Sequence, residues 1–276
     1  MMNIVNSPVV TWPKKFDVLG VQVSATDYDE AVSAIIGAAQ ASCSSVVSLH
    51  AVHPVVVASG DAKLRAKVNT FEMVGPDGQP VRWALNLLYR TGLKDRVYGP
   101  ELMIRICERA AACGLPIYLY GSTEAVLREL QINLTQRIPD LVIAGVESPP
   151  FRELTAEEAE EVVQRIRASG AAIVFIGLGA PKQDEFAYAL RGRLALPLVC
   201  VGAAFDFHAG TKRMAPRWMQ RRGLEWLFRL VQEPRRLWRR YFITNSLFLF
   251  KLMLTVLRRR VLRVSTQPIS TTGETT

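Results

Sequence analysis

The chain has 276 residues, almost half of them hydrophobic, which is enough for one large domain or for a core with an extension. Its formal charge of +9 is unevenly spread. Fifteen Lys or Arg lie from Lys212 to Arg263 against two acids, Glu225 and Glu233, so the anion-seeking surface belongs to the C-terminal part. Four cysteines, Cys43, Cys107, Cys113 and Cys200, lack CxxC spacing, which argues against a disulfide framework or a zinc site and for a reducing compartment.

The start, MMNIVNSPVVTWPKKFDVLG, has no continuous apolar stretch of the kind a secretory signal needs, and residues 1–15 read as an N-terminal extension. TDYDEA then carries Asp27 and Asp29 in a D-x-D spacing that some sugar transferases use for a metal. Here Thr26 or Asp27 reads as a helix N-cap with Asp29 and Glu30 in the first turn, and the helix dipole accounts for the acids. No metal is expected.

VVSLHAV (46–52) reads as a strand, with Ser48 and His50 on one face by period two and His53 on the other side of that alternation. A helical stretch through Asp61 to Val68 follows. FEMVGPDG (71–78) is a short strand ending in a Pro–Asp–Gly turn. Asp77 there either bonds its own backbone, as turn aspartates do, or serves as a carboxylate base at a strand's end. Helical periodicity runs from Glu101 to Cys113 and stops at Gly114.

PIYLYG is a buried strand, and the helix after it opens on STEAV. The intervening glycine suits either a phosphate at a helix N-terminus or a plain tight turn; no GxGxxG is present, so a dinucleotide fingerprint is not supported. LVIAGV is a further strand. TAEEAEEVVQRIRASG begins with a capping-box pattern, Thr155 with Glu158, and closes on Gly170. AAIVFIGLG and LPLVCVGAAF complete the strands. After the first comes GLGAPKQDE, which offers Lys182 and Gln183 as ligand contacts or as an ordinary helix start. After the second, Asp206 and His208 stand at alternating positions.

Strands alternating with helices predict an α/β fold, a mostly parallel Rossmann-like sheet flanked by helices with ligands beyond the strands' carboxyl ends. This core is expected over residues 16–210, followed by a basic amphipathic helical appendage over 211–264 and a polar, disordered tail over 265–276. In the appendage, Arg229, Arg235, Arg236, Arg239 and Arg240 are interleaved with Trp226, Leu230, Leu237, Trp238 and Tyr241. A nucleic-acid reader can look like this. So can a helix whose arginines reach lipid headgroups, and the apolar run Phe242 to Leu257 favours lipid. Tyr241 to Leu257 contains Asn245 and Lys251 and falls short of the ~20 apolar residues of a spanning helix, so an interfacial position is expected.

From about Phe16 to Phe250 the sequence resembles the WecG/TagA/CpsF glycosyltransferases, glycosyltransferase family twenty-six. DVLGVQVSATDYDEAV is similar to that family's opening, PDG and GLGAPKQDE to its core motifs, and VGAAFDFHAGTKRMAPRWMQRRGLEWLFRLVQEPRRLWRRY to its most specific stretch. The resemblance implies a metal-independent, inverting transfer of a hexose or N-acetylhexosamine-type sugar. The donor would be a UDP-sugar and the acceptor a polyprenyl-diphosphate-linked saccharide, in surface polysaccharide synthesis, with no cofactor. It places the enzyme peripherally at the cytoplasmic face of the bacterial inner membrane, on an anionic lipid surface, with a homo-oligomer open and no nucleic acid bound. By the family's pattern Asp77 is the base and Gln183 contacts the donor sugar. Ser48 and His50 stand where the family has Thr-x-Asn, keeping the hydroxyl and exchanging the amide for an imidazole. Arg229, Arg236 and Arg239 match R-x6-R-x2-R and are assigned to the UDP phosphates. Two rivals differ in kind: a non-enzymatic membrane-associated assembly protein on the same fold, and a basic nucleic-acid-binding protein.

Overall fold

The computed structural model describes residues 10–150, 152 and 154–262; the expected tail over 265–276 and most of the 1–15 extension lie outside them. The elements through the first half are β1 (Lys15–Val18), β2 (Val21–Ser24), α1 (Tyr28–Gln40), β3 (Ser45–His50), α2 (Val52–Gly60), α3 (Ala62–Asn69), β4 (Met73–Pro76), α4 (Gln79–Tyr89), α5 (Gly99–Ala112), β5 (Ile117–Gly121) and α6 (Glu124–Arg137). The second half continues with β6 (Ile143–Glu147), α7 (Ala156–Ser169), β7 (Ile173–Gly177), α8 (Lys182–Leu190), β8 (Pro197–Cys200), α9 (Ala204–His208), α10 (Arg217–Arg221), α11 (Glu225–Gln232) and α12 (Pro234–Leu262). Six strands form one sheet in the order β4-β3-β8-β7-β5-β6, and the pairs β5–β6, β5–β7 and β7–β8 are parallel. The fold is α/β with helices flanking a mostly parallel sheet.

The chain divides into two compact units, one from Tyr28–Val47 and Gly99–Lys212, the other from Pro13–Asp27, Ser48–Tyr98 and the segment from Arg213 onward. In the first unit, β5 and β7 are apolar strands in register, Ile117 opposite Ile173 through to Gly121 opposite Gly177. They end on glycine for a steric reason. At φ +130° a Cβ on Gly121 would stand 2.7–2.9 Å from the Gly177 backbone, and a Cβ on Gly177 would strike the Phe205 ring at 2.5 Å. The two strand ends and α9 therefore close against one another in van der Waals contact. Thr123 caps α6 by accepting from the Val126 N–H, and Thr155 with Glu158 forms the reciprocal capping box of α7. On β6, Glu147 binds the Arg165 guanidinium and the Tyr118 hydroxyl, which places charge on the strand next to β5.

In the second unit, β1 and β2 form an antiparallel hairpin through Leu19 and Gly20, both at positive φ. The single helical stretch expected up to Val68 is two helices. Asp61 ends α2 and caps α3, its carboxylate accepting from the Lys63 and Leu64 N–H groups, which holds its pKa below the usual value. Val52, Val55, Val56 and Ala58 bury one side of α2.

Two expectations are corrected. Asp206 and His208 do not alternate along a strand: β8 stops at Cys200 and both lie on the helical turn α9. The C-terminal helix is also longer than the Tyr241–Leu257 run, and it is not amphipathic in the ordinary sense. Its inward side carries Leu237, Thr244 and Phe248, all buried, together with polar anchors. Lys251 donates to Ser59 Oγ at 2.8 Å, and Arg259 donates to the Leu88 carbonyl at 3.1 Å and the Tyr89 hydroxyl at 2.5 Å. Its outward side is apolar: Phe242 is 72% exposed, and Ile243, Leu249, Phe250, Met253 and Leu257 are exposed with it. Because apolar residues occupy both sides, no polar stripe separates them. By length and composition, the stretch Pro234–Arg259 qualifies as a membrane-crossing helix.

Two glycine substitutions separate close packing from backbone entropy. Gly177→Ala is expected to lower stability by about 1–3 kcal/mol through its clash with Phe205. Gly37→Ala, inside α1 with nothing near its added methyl, is expected to raise stability by roughly 0.5–1 kcal/mol. Thermal unfolding of both variants checks this.

Candidate active site

Asp77 stands one residue beyond the end of β4, half-buried. Its N–H donates to the carbonyl of His50, the last residue of β3, at 3.1 Å, so the ends of two neighbouring strands meet at this turn. Within β4, Gly75 lies close under Leu49: a Cβ at residue 75 would come within 2.5 Å of the Leu49 side chain. Leu49 points away from Ser48 and His50, which share the opposite face of β3 by alternation. Both are fully buried, so neither forms an exposed rim.

A second segment is fastened to this turn. The Val97 N–H donates to the Pro76 carbonyl at 3.0 Å. Asp95 Oδ1 accepts from Gln79 Nε2 at 2.9 Å and from the Arg96 N–H at 2.8 Å. Gln79 is the first residue of α4 and is itself buried, so Asp95 ties the turn and the helix start to Arg96. Val97 packs into the core, and its neighbours Arg96 and Tyr98 are also buried. The Arg96 guanidinium lies over the Tyr98 ring, 4.3 Å from its centroid, and donates to Glu225, the first residue of α11.

Glu225 is also buried, so the Arg96–Glu225 pair is a desolvated ion pair. Burial works against the charge on Arg96, but the carboxylates of Glu225 and Asp77 outweigh it and hold the guanidinium pKa above its ordinary value. Burial, followed by the same two carboxylates, pushes the Tyr98 phenol far up, so Tyr98 stays protonated at physiological pH. Asp77, Arg96, Glu225 and Tyr98 thus form one electrostatic cluster at a strand's end, the kind of setting in which catalytic groups are found.

Of the three arginines singled out in the sequence, Arg229 follows Glu225 by four residues on α11 and lies on the same helix face; it is half-buried. Arg236 and Arg239 lie at the start of α12, and both are exposed. Arg236 donates to Glu233 Oε2 at 2.5 Å, and Arg239 sits 5.3 Å from the Trp238 ring centroid. The sequence pattern brings Arg229 to the helix that holds Glu225 and leaves the other two on open surface.

Gln183 belongs to the other compact unit. It lies in the first turn of α8 and is 3% exposed. Its Oε1 accepts from the Gly179 N–H at 3.1 Å, and the Cys200 thiol reaches its carbonyl at 3.6 Å. Gly179 and Gly202 are at positive φ on either side of it, so Gln183 fastens the loop after β7 to its own helix. Lys182 is exposed. His208 Nε2 donates to the Pro100 carbonyl at 2.8 Å, and its own carbonyl accepts from Asn133. Burial lowers its pKa, so the ring is a neutral structural strut. Asp29, of the D-x-D, lies in the first turn of α1 beside Arg105 at 3.6 Å.

A family model described as the Glycosyl transferase WecG/TagA/CpsF family matches residues 16–262. The chain belongs to that family. It is therefore a glycosyltransferase, and a glycosyltransferase takes a sugar donor and an acceptor. The match runs through β4, the PDG turn, α8 and α11, so every residue of the Asp77 cluster falls within it.

Arg96, Tyr98, Glu225, Gln79 and Asp95 were not singled out from the sequence. One signal was there to be used: Glu225 is one of two acids among fifteen cations. The other, Glu233, binds Arg236. An acid retained in so basic a stretch invites the question of which cation it serves. Glu225→Ala would strand a buried guanidinium and is expected to cost about 3–5 kcal/mol. Replacing both partners, Arg96→Met with Glu225→Leu, is expected to cost far less. Urea denaturation of the two variants provides the comparison.

Proposed function

We propose that this transferase moves a hexose or N-acetylhexosamine-type sugar from a UDP-sugar to a polyprenyl-diphosphate-linked saccharide, with inversion and without a metal, in cell-surface polysaccharide synthesis. The observation that carries the reading is the half-buried Asp77 carboxylate at the end of β4, next to the buried Arg96–Glu225 ion pair that α11 completes. In a single displacement, the acceptor oxygen forms its bond to the anomeric carbon as the bond to the UDP oxygen breaks. The acceptor's proton goes to Asp77, and the electron pair leaves with UDP. One base opposite the leaving group is what inversion requires.

Cationic charge on the leaving diphosphate is the remaining need, and guanidinium groups answer it with bidentate hydrogen bonds. Arg229 is the first candidate from its place on α11; Arg236 and Arg239 join it if the diphosphate reaches the start of α12. Gln183, in the first turn of α8 after β7, is the proposed donor-sugar contact. Ser48 and His50, buried on the face of β3, shape the wall beside Asp77.

The outward face of α12 supports a peripheral position on the cytoplasmic leaflet. Phe242, Leu249, Phe250 and Met253 fit the acyl boundary, and exposed Arg235, Arg236, Arg239 and Arg258 fit anionic headgroups. The inward polar anchors, Lys251 and Arg259, hold α12 along the second unit, which suits a helix lying in the interface.

UDP release from membranes carrying lipid-diphosphate saccharides, with a panel of UDP-sugars and EDTA, tests the chemistry. Release with one donor is expected to survive EDTA and to fall by about 10²–10⁴ in Asp77→Asn. Full activity in Asp77→Asn, or dependence on added divalent metal, overturns it. For the membrane, Phe250→Glu with Met253→Glu is expected to abolish flotation with phosphatidylglycerol-containing vesicles while leaving the fold intact. Unchanged flotation overturns the interfacial position, and a shift from oligomer to monomer on size exclusion assigns the face to a second copy instead.

A further inference from the structure

Helix α4 has three sides, and two of them are occupied. Val81, Ala84, Leu85 and Leu88 are buried in the core. Arg82 and Asn86, one turn apart, hold the loop that follows the helix. Arg82 donates to the Leu93 and Lys94 carbonyls at 2.9 and 2.6 Å, and Asn86 donates to the Leu93 carbonyl and accepts from the Leu93 N–H, both at 2.9 Å. The remaining side carries Trp83 and Leu87, also one turn apart and 46% and 59% exposed. We propose that this Trp83–Leu87 stripe is a second lipid contact, outside the basic C-terminal segment, which holds the turn bearing Asp77 at the bilayer surface. The proposal deepens, and rests on, the reading of a lipid-linked acceptor met at a membrane.

The stripe is bracketed at both ends by the C-terminal segment. At its start lies the turn between α10 and α11: a Cβ on Gly223 would come 3.1 Å from the Trp83 ring and 3.3 Å from the Gln79 Cβ. At its end, Arg259 of α12 stacks over the Tyr89 ring at 4.3 Å and donates to the Leu88 carbonyl. Trp218, on α10 just before that turn, is exposed, and so is Leu257, two residues before Arg259. The open side of α4 thus begins and ends beside exposed apolar side chains of the segment already proposed for lipid.

Charge favours the same occupant. Arg90 and Lys94 beyond the end of α4, and Arg221 and Arg222 beside its start, are all exposed. An indole and a leucine ringed by cations suit an anionic interface, with the ring at headgroup level and the cations at the lipid phosphates. A second copy pressed face to face would set these cations against their own kind.

The stripe matters for where it stands in the chain. Trp83 lies four residues into α4 from Gln79, a rise of about 6 Å, and Gln79 is two residues past Asp77. The diphosphate of a polyprenyl-linked acceptor stays at headgroup level because its chain stays in hydrocarbon. A base carried on the turn before α4, with α4 at the interface, meets the sugar beside that diphosphate without drawing the lipid out. Helix α12 tethers the protein, and α4 sets the height of Asp77.

The test titrates the full chain against vesicles of phosphatidylglycerol and phosphatidylcholine, with no substrate present. Trp83→Glu with Leu87→Glu is expected to weaken partitioning by roughly tenfold or more, with thermal unfolding near wild type because both side chains are exposed. If that variant folds poorly, Trp83→Ser with Leu87→Ser shows the same loss in smaller amplitude, and Trp83→Phe with Leu87→Met retains binding. In the UDP-release assay the glutamate pair is expected to raise the acceptor KM roughly fivefold or more for acceptor embedded in vesicles, and far less for the same acceptor in detergent micelles. Unchanged partitioning overturns the proposal. An equal loss on vesicles and micelles also overturns it, because that marks a disturbed active site. A shift from oligomer to monomer on size exclusion gives the stripe to a second copy and overturns the lipid contact. A wild type that transfers no sugar from any donor overturns the transfer reading and the stripe's part in presenting Asp77, while partitioning still decides the lipid contact.

Discussion

A guanidinium taken out of water has to be met by a carboxylate, and at Arg96 that carboxylate comes from a residue 129 positions later in the chain. The pair holds the first turn of α11 to the segment that follows α4. That segment is in turn hydrogen-bonded to the end of β4 through Val97 and Pro76, and to the start of α4 through Asp95 and Gln79. Asp77 sits in the middle of these ties. Because the desolvation cost of two buried ions is large, such a pair adds little net stability compared with apolar groups of the same size.

The C-terminal segment obeys a second constraint. Helix α12 packs Leu237 and Phe248 inward together with polar anchors, where Lys251 meets Ser59 and Arg259 meets Tyr89, and it leaves Phe242, Leu249, Phe250 and Met253 exposed. A run of exposed apolar side chains of this size marks a surface that meets another apolar surface. Asp77, Arg229 and the apolar face all belong to the second compact unit, and Gln183 belongs to the first.

The fold was largely legible because its strands are short apolar runs bounded by turns and its helices carry caps. Thr155 with Glu158, Gly170, and the stop at Gly114 all mark boundaries by local chemistry that packing does not override. It was less legible where apolar content is high in both states. The run from Val52 to Gly60 has the composition of a strand and is helical because it packs as α2, with Asp61 breaking it from α3. Residues 204–208 alternate in polarity and still form the turn α9, because Phe205 fills the space over Gly177.

By itself the sequence determined the α/β class, the PDG turn with Asp77 at a strand's carboxyl end, the GLGAPKQDE motif that carries Gln183, and the concentration of positive charge after Lys212. These follow from periodicity, turn chemistry and motif, all of which act over a few residues. Only the tertiary structure decided that Ser48 and His50 are buried, that Arg229 shares a helix face with an anchored glutamate, that α12 leaves Phe242, Leu249, Phe250 and Met253 exposed, and that Arg96 meets Tyr98 and Glu225 in the interior. The reason is physical: a buried charge is specified by its partner, and the partner here is distant in sequence and near only once the chain has folded.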